Sequence, residues 1–422
     1  MEFTITSSPD FEIRSLTTAA EIEAFFWLNA QVFRPNHDTV VIATRRRSFI
    51  TQAPDFHPEQ FRGAFLGTTY LGGYGILAFT MHLGPARLHI GGIGAVVTHP
   101  AYRHQGIATA LMRDAITYAT QRRYALLLLD GIANFYAQFG YVTIMDSMTH
   151  AVASEEVQAH APSPYIVRPA TLADTSALLA LHQRHYGANP GFFDRTQEWQ
   201  EHLLRHRLVF AEEPPVIVLT SDDEPRGYLL PFQGRTSAYS VLEVAAEDWP
   251  ATLALLQYHA RLVEHTIDSP KELVWPLPPN SPTLYHLADN LTVRSETLRV
   301  LNVGCMTRPA HVPTLLQALI PLWQERLQRH VLAWSGILAL EVDNTTCYLE
   351  VRSGTLRMRE TPSAPVETVR LTSHVFLQLL FGYRPLIWAV HQPAQWIPAP
   401  VLPLLAILFP HEPAIQAGSD SF

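Results

Sequence analysis

Cysteine is nearly absent from this chain: Cys305 and Cys347 are the only two in 422 residues, and no C-x-x-C spacing occurs. That excludes a disulfide scaffold and a cysteine-based zinc site, and it fits a reducing compartment. The first residues lack a charged segment followed by an apolar run, so they do not read as a signal peptide. Long apolar runs are also missing. Residues 401–409 are broken by Pro403 and are too short to span a bilayer. Basic charge is in deficit, with 30 Lys and Arg against 38 Asp and Glu. The net charge of −8 argues against nucleic acid as a partner and suits a cationic one. A cytoplasmic protein with no membrane role is expected. The 20 histidines are scattered. His202 and His206 have the i,i+4 spacing of metal ligands but lack the glutamate of an H-E-x-x-H motif. They read as a solvated helix face, and no metal is expected.

What is present is enough apolar sequence, 47 %, to build cores, and enough length for two or three domains. The most informative stretch is 90–112. Residues 90–97 are rich in β-branched side chains and carry Gly91, Gly92 and Gly94, as in a strand approached closely by a ligand or another backbone. His99-Pro100 ends that strand. Ile107, Ala108, Leu111, Met112 and Ala115 then recur at helical spacing. The junction is Arg103-His104-Gln105-Gly106-Ile107-Ala108-Thr109. A glycine at a helix N-terminus presents backbone N–H groups together with the positive end of the helix dipole, a setting suited to a phosphate or pyrophosphate.

Further on, residues 124–129 form a continuous apolar run bounded by Asp130-Gly131, the signature of a strand buried on both faces. Phe135-Tyr136-x-x-x-Gly140-Tyr141 follows. The pattern Arg103-x-x-Gly106-x-Ala108 after a strand, joined to this second motif, resembles the GNAT superfamily of acyl-CoA-dependent N-acetyltransferases. The resemblance implies acetyl-CoA bound along Val96, Val97 and Thr98. Its pyrophosphate would lie at Arg103, His104, Gln105, Gly106, Ile107, Ala108 and Thr109. It also implies that Tyr136 is the general acid for the departing thiolate, since a phenol and a thiol have similar basicity. The chain opens with a strand-like segment at 11–14 and a helix whose Thr18 and Glu21 form a capping box. In this superfamily that helix lines the acceptor pocket, so Trp27 and Phe33 are candidate acceptor contacts, with core packing as the competing reading. The run Arg45-Arg46-Arg47 reads as a solvated helix face.

The pattern restarts after a soft boundary at 153–164. Residues 165–170 repeat the opening strand and its arginine. A helix at 174–185 follows, then strands at 207–210, 215–220, 226–231 and 241–244, a helix near 250–264 and a strand at 272–275. This looks like a second copy of the same fold. Where the first copy has its glycine junction, the second has Glu247-Asp248-Trp249-Pro250, which would repel a pyrophosphate and removes an N–H donor. From about 309 a helix at 312–329 leads to a hairpin of 336–342 with 346–351, a strand at 367–371 and a helix at 374–381 stopped by Gly382. The apolar 401–409 segment would pack on that sheet. The last part is similar to the sterol carrier protein fold.

The expected class is therefore α/β (α+β). Tandem GNAT folds, with mixed central sheets flanked by helices (1–155 and 156–308), precede a sterol-carrier-like α+β domain (309–422). That order resembles the enhanced-intracellular-survival (Eis) acetyltransferases. The resemblance implies a small-molecule primary amine as acceptor, aminoglycosides among them, a hexameric homo-oligomer, and the terminal carboxylate of Phe422 as general base. An α-carboxyl is a weak base until desolvation raises it. Acetylation of protein lysines or polyamines shares this chemistry. A non-enzymatic lipid carrier built on the last domain is the reading from another class.

Overall fold

A computed structural model describes residues 11–206, 214–233, 239–264, 271–332, 334–362, 365–412 and 414. The chain begins with β1 (Glu12–Ser15), α1 (Ala19–Phe33), α2 (Thr39–Thr51), β2 (Phe61–Leu66), β3 (Thr69–Leu83), β4 (Ala86–Thr98), α3 (Ile107–Gln121), β5 (Leu126–Gly131), β6 (Val142–Thr143), β7 (Ser147–Ala153) and α4 (Ser154–Gln158). The capping box that starts α1 forms as expected. The Glu21 amide donates to Thr18 Oγ1 at 3.2 Å, and the Thr18 amide donates to the Glu21 carboxylate at 3.1 Å. Arg14, from β1, donates to the same carboxylate at 2.5 Å. Strand and helix are thereby joined by one charge-assisted contact.

The middle of the chain carries β8 (Ile166–Pro169), α5 (Thr175–Tyr186), β9 (Phe192–Phe193), α6 (Gln197–His206), β10 (Val216–Leu219), β11 (Pro225–Gln233), β12 (Tyr239–Ala246), α7 (Trp249–Glu264), β13 (Glu272–Trp275), α8 (Pro282–Asn290), β14 (Arg294–Leu298) and β15 (Gly304–Pro309). The opening device recurs here. The Thr171 amide donates to Asp174 at 2.7 Å, and Arg168 from β8 holds both oxygens of that carboxylate at 2.8 Å. The expected strand at 207–210 lies outside the described residues. β8, β10, β11 and β12 make a four-stranded antiparallel sheet in the order β12-β11-β10-β8.

Sheets cross between the parts of the chain. The first sheet runs β1-β2-β3-β4-β5-β15-β6, with β9 attached to β3, so two strands of the middle segment complete it. β13 and β14 flank β7 in a separate three-stranded sheet. In the first sheet β5 is the apolar run expected to be covered twice. Leu127 and Leu129 pack with Ile107, Leu111 and Met112 of α3, while Leu126 and Leu128 pack with the last third of the chain. On that second face, Phe25, Phe26, Phe61 and Phe65 form a separate cluster under α1 and α2.

The last third holds α9 (Val312–Ala318), α10 (Ile320–Gln328), β16 (Gly336–Val342), β17 (Thr345–Arg352), β18 (Thr355–Arg359), β19 (Val366–Leu371), α11 (Ser373–Leu380), α12 (Leu386–Val390) and α13 (Leu402–Leu408). The single helix expected over 312–329 is two, divided at Leu319 just before Pro321, which has no N–H to continue the ladder. The expected hairpin pairs Val342 with Thr345, leaving a two-residue turn in which Asp343 has φ +51°. The sheet order is β18-β17-β16-β19, with β19 parallel to β16. Leu404, Leu405 and Leu408 of α13 share its core with Leu338, Leu340 and Val369. Among the described residues no helix is long and apolar enough to cross a membrane.

Candidate functional site

The site grows from a divergence of two parallel strands. β4 pairs with β3 along almost its whole length, but with β5 only over Ile90, Gly91 and Gly92. On its other side β5 pairs with β15 over its whole length, and the β5-facing edge of residues 93–98 has no strand partner among the described residues. An unpaired edge offers alternating N–H and C=O groups to an extended, amide-bearing ligand. Val96, Val97 and Thr98 lie on that edge.

Within it β4 carries a bulge. Gly73 faces Val97 and Gly75 faces Gly94, so Ala95 and Val96 together stand opposite the single residue Tyr74. Ala95 has φ +57°, a left-handed conformation that costs a residue with a Cβ about 1–2 kcal/mol. Ala95 packs toward the α1–α2 cluster and Val96 toward the α3 cluster. Asn29 of α1, 1 % exposed, donates through Nδ2 to the Ala95 carbonyl at 3.2 Å. Its Oδ1 accepts from Arg46 Nη1.

The strand then leads into the head of α3. Pro100–Tyr102 form one 3-10 turn, Arg103, His104 and Gln105 are exposed, and His104 has φ +62°. Gly106 caps α3 with φ +79°, and no side chain caps the helix. A Cβ at Gly106 would meet no atom within 4 Å, so backbone conformation rather than space calls for glycine. Two left-handed residues, His104 and Gly106, thus lead into a helix start with no side-chain cap, a setting suited to an anion. All seven residues expected to hold a pyrophosphate, 103–109, lie along this one turn.

On the far side of the divergence stands Tyr136, at the start of a short 3-10 helix, Tyr136–Phe139, closed by Gly140 at φ +81°. Its ring lies between Phe135, at 4.9 Å, and Tyr141, at 6.1 Å between centroids. Its hydroxyl has no hydrogen-bond partner among the described residues. Burial, and then the charge of Asp130, push its pKa up to about 12, so the phenol is held protonated. Asp130, at the end of β5, is itself raised by burial, and it also acts on Cys305, its pairing partner on β15.

The head of α7 is built differently from that of α3. At the head of α7 the Asp248 carboxylate accepts the Ala251 amide at 2.9 Å and the Tyr165 hydroxyl at 3.1 Å. Glu247 is engaged by Arg184 at 3.2 Å. A carboxylate supplied by the chain thus sits where α3 leaves an opening for an anion.

Not every expected contact gathers here. Phe33 lies under Arg46, with the guanidinium carbon 5.7 Å from its ring centre. Trp27 is 41 % exposed, and two residues of helix place it roughly 200° around α1 from Asn29. It therefore faces away from the bulge and does not join the others. Phe422 lies outside the described residues. Two expected solvated faces are corrected. Arg46 turns inward to Asn29, and desolvation, then Arg34, bring its pKa down to about 10. His202 is 4 % exposed, packed between Trp199 and Phe49 where α6 meets α2. Asn29, Arg46 and Asp130 were not predicted as site residues. The helical spacing of Asn29 with Phe25 and Phe33 was the available signal for the first of them.

The sequence model of the acetyltransferase (GNAT) domain family matches residues 12–144. No curated protein matches the sequence. Among solved structures the chain is similar to a GCN5-related N-acetyltransferase from Kribbella flavida, with 17 % identity, 98 % of this chain and 99 % of that one covered, and a TM-score of 0.69. A GCN5-related N-acetyltransferase from Anabaena variabilis shares 17 % identity over 96 % and 98 % of the two chains, with a TM-score of 0.66. Eis1 from Mycobacterium abscessus shares 18 % over 98 % and 100 %, with a TM-score of 0.62. These likenesses concern the fold. Residues 12–144 carry an acetyltransferase (GNAT) domain.

Proposed function

We propose that the chain moves an acetyl group from acetyl-CoA to a primary amine of a small molecule, in the manner of the Eis-type enzymes. The observation that carries this reading is the alignment of one open strand edge, 93–98, with one uncapped helix start at Gly106. The pantetheine amides would pair with the edge, and the pyrophosphate would take the N–H groups of 103–109. Length supports the pairing. Residues 93–106 carry an extended strand and one turn, a span of the right order for a pantetheine arm.

Each residue then has a chemical task. The Val96 amide faces the acyl carbonyl and stabilises charge that develops on its oxygen. Tyr136 gives its proton to the sulfur as the carbon–sulfur bond breaks, and recovers one from the nitrogen that has formed the new bond. The carboxylate of Phe422 is proposed as the base that frees the incoming amine. The division into a catalytic part (1–155), a degenerate copy (156–308) and a sterol-carrier-like part (309–422) belongs to the same proposal, with Asp248 as the reason that the second copy is silent. Aminoglycosides are the proposed acceptors. A thiol-release assay over aminoglycosides, polyamines and lysine peptides tests the reading. Acetyl-CoA turnover with an aminoglycoside supports it, and turnover with lysine peptides alone would move the acceptor to protein. Absence of turnover with every amine would refute it.

A further inference from the structure

The bulge in β4 is held from outside the strand. Ala95 carries a backbone conformation that residues with a Cβ avoid, and the register of β3 supplies it with no partner. What fixes it is Asn29, a buried amide on α1 whose Nδ2 reaches the Ala95 carbonyl at 3.2 Å. The orientation of that amide is determined chemically. A guanidinium can only donate and a carbonyl can only accept. Oδ1 must therefore face Arg46, and Nδ2 must face Ala95.

The peptide plane carries the consequence onward. In a trans peptide the carbonyl of residue 95 and the N–H of residue 96 point in opposite directions. A carbonyl drawn toward α1 sends the Val96 N–H away from α1, toward the side of the sheet whose core cluster the Val96 side chain packs against. Tyr136 stands in that same cluster. Resting on the acetyl-transfer reading above, we propose that Asn29 is a positioning residue for the reaction. By holding the Ala95 carbonyl it aims the Val96 amide at the acyl carbonyl of the donor, and Arg46 keeps Asn29 in the required orientation. The chain of contacts runs from α2 through α1 to the strand edge. It reaches the acyl carbonyl without touching the rest of the donor.

This separates two affinities. The Val96 amide meets the acyl group, which acetyl-CoA has and CoA lacks. Asn29→Asp keeps the size of the side chain but sets an acceptor against the Ala95 carbonyl. In this variant kcat should fall at least tenfold, with the 10²–10³ seen when a donor to a developing oxyanion is removed as the upper bound. The dissociation constant for CoA should stay within about twofold. Difference infrared spectra with acetyl-CoA labelled with carbon-13 at the carbonyl give an independent readout. The bound band should lie below its unbound position in the native chain and return toward it in Asn29→Asp. Arg46→Met should shift kcat and the band in the same direction, while Arg46→Lys, which keeps a donor, restores both. If Asn29→Asp melts early, the two Arg46 variants carry the test. An unchanged band and kcat in the folded variants would overturn the proposal. Failure of the native chain to bind CoA would instead overturn the acetyl-transfer reading on which it rests.

Discussion

Gly106 heads α3 as Asp248 heads α7, and the two treat a helix N-terminus in opposite ways. Gly106 exposes the first-turn amides with no side chain over them, whereas Asp248 accepts one of those amides itself at 2.9 Å. Gly106→Asp would convert the first arrangement toward the second. The variant should fold, because Asp tolerates left-handed backbone better than most residues, yet acetyl-CoA binding should be lost in calorimetric titration. Gly106→Ala meets no steric obstacle. Its penalty is conformational, about 1 kcal/mol, so the KM for acetyl-CoA should rise by roughly five- to tenfold.

Tyr136 should act on turnover rather than on binding. Tyr136→Phe keeps the ring between Phe135 and Tyr141 and removes only the hydroxyl. The expected loss in kcat is about 10²-fold, at the lower end of general-acid contributions, with the dissociation constant for acetyl-CoA unchanged. Full activity in steady-state assays would remove Tyr136 from the mechanism.

The same phenol predicts a pH profile. Burial and Asp130 raise Tyr136 to about 12, so its loss of a proton should not limit the rate below about pH 11. Asp130→Asn removes a negative charge beside the phenol, which makes the phenolate easier to form. The alkaline limb of kcat/KM should then move to lower pH. A limb that stays in place would show that Asp130 does not act on Tyr136.

Two ion pairs contribute to the acid dependence of stability. Arg14 holds Glu21 down to about 2, chiefly by its hydrogen bond, and Arg168 does the same for Asp174. In the unfolded chain these carboxylates titrate near 4. The unfolded state therefore takes up protons first, and stability falls as pH drops from about 4 toward 2. Arg14→Met or Arg168→Met should lower the melting temperature at pH 7 and flatten its decline over that interval, as followed by circular dichroism.

His202 predicts a second loss at milder acidity. Burial, then the neighbouring His206, bring it down to about 4, against about 6.5 when unfolded. The folded ring refuses a proton that the unfolded one accepts, so stability should decline as pH falls from about 6.5 to 4. The Phe49 carbonyl partly opposes the shift. His202→Phe should reduce this dependence without altering the lower-pH decline.

Local patterns gave away the parts of the site that depend on local conformation. Gly106 before a helix, Leu126–Leu129 before Gly131 and Gly140 after Tyr136 each announce a backbone event within a few residues. Asn29, Arg46 and Asp130 were hidden because their roles arise between elements. Three consecutive arginines lie about 100° apart on a helix, and nothing in the run itself says that the middle one turns inward. The burial of His202 is hidden for a similar reason, since part of it comes from Phe49 of α2, some 150 residues earlier in the chain. The insertion of β15 beside β5 is a pairing between residues about 180 apart, and periodicity carries no information about such partners.

One donor site per chain is the central claim, and binding stoichiometry tests it most directly. Calorimetric titration of the native chain with acetyl-CoA should give one molecule bound per chain, and none for Gly106→Asp. Two molecules per chain, or one that persists in Gly106→Asp, would contradict the assignment of the site to Gly106 and its strand edge.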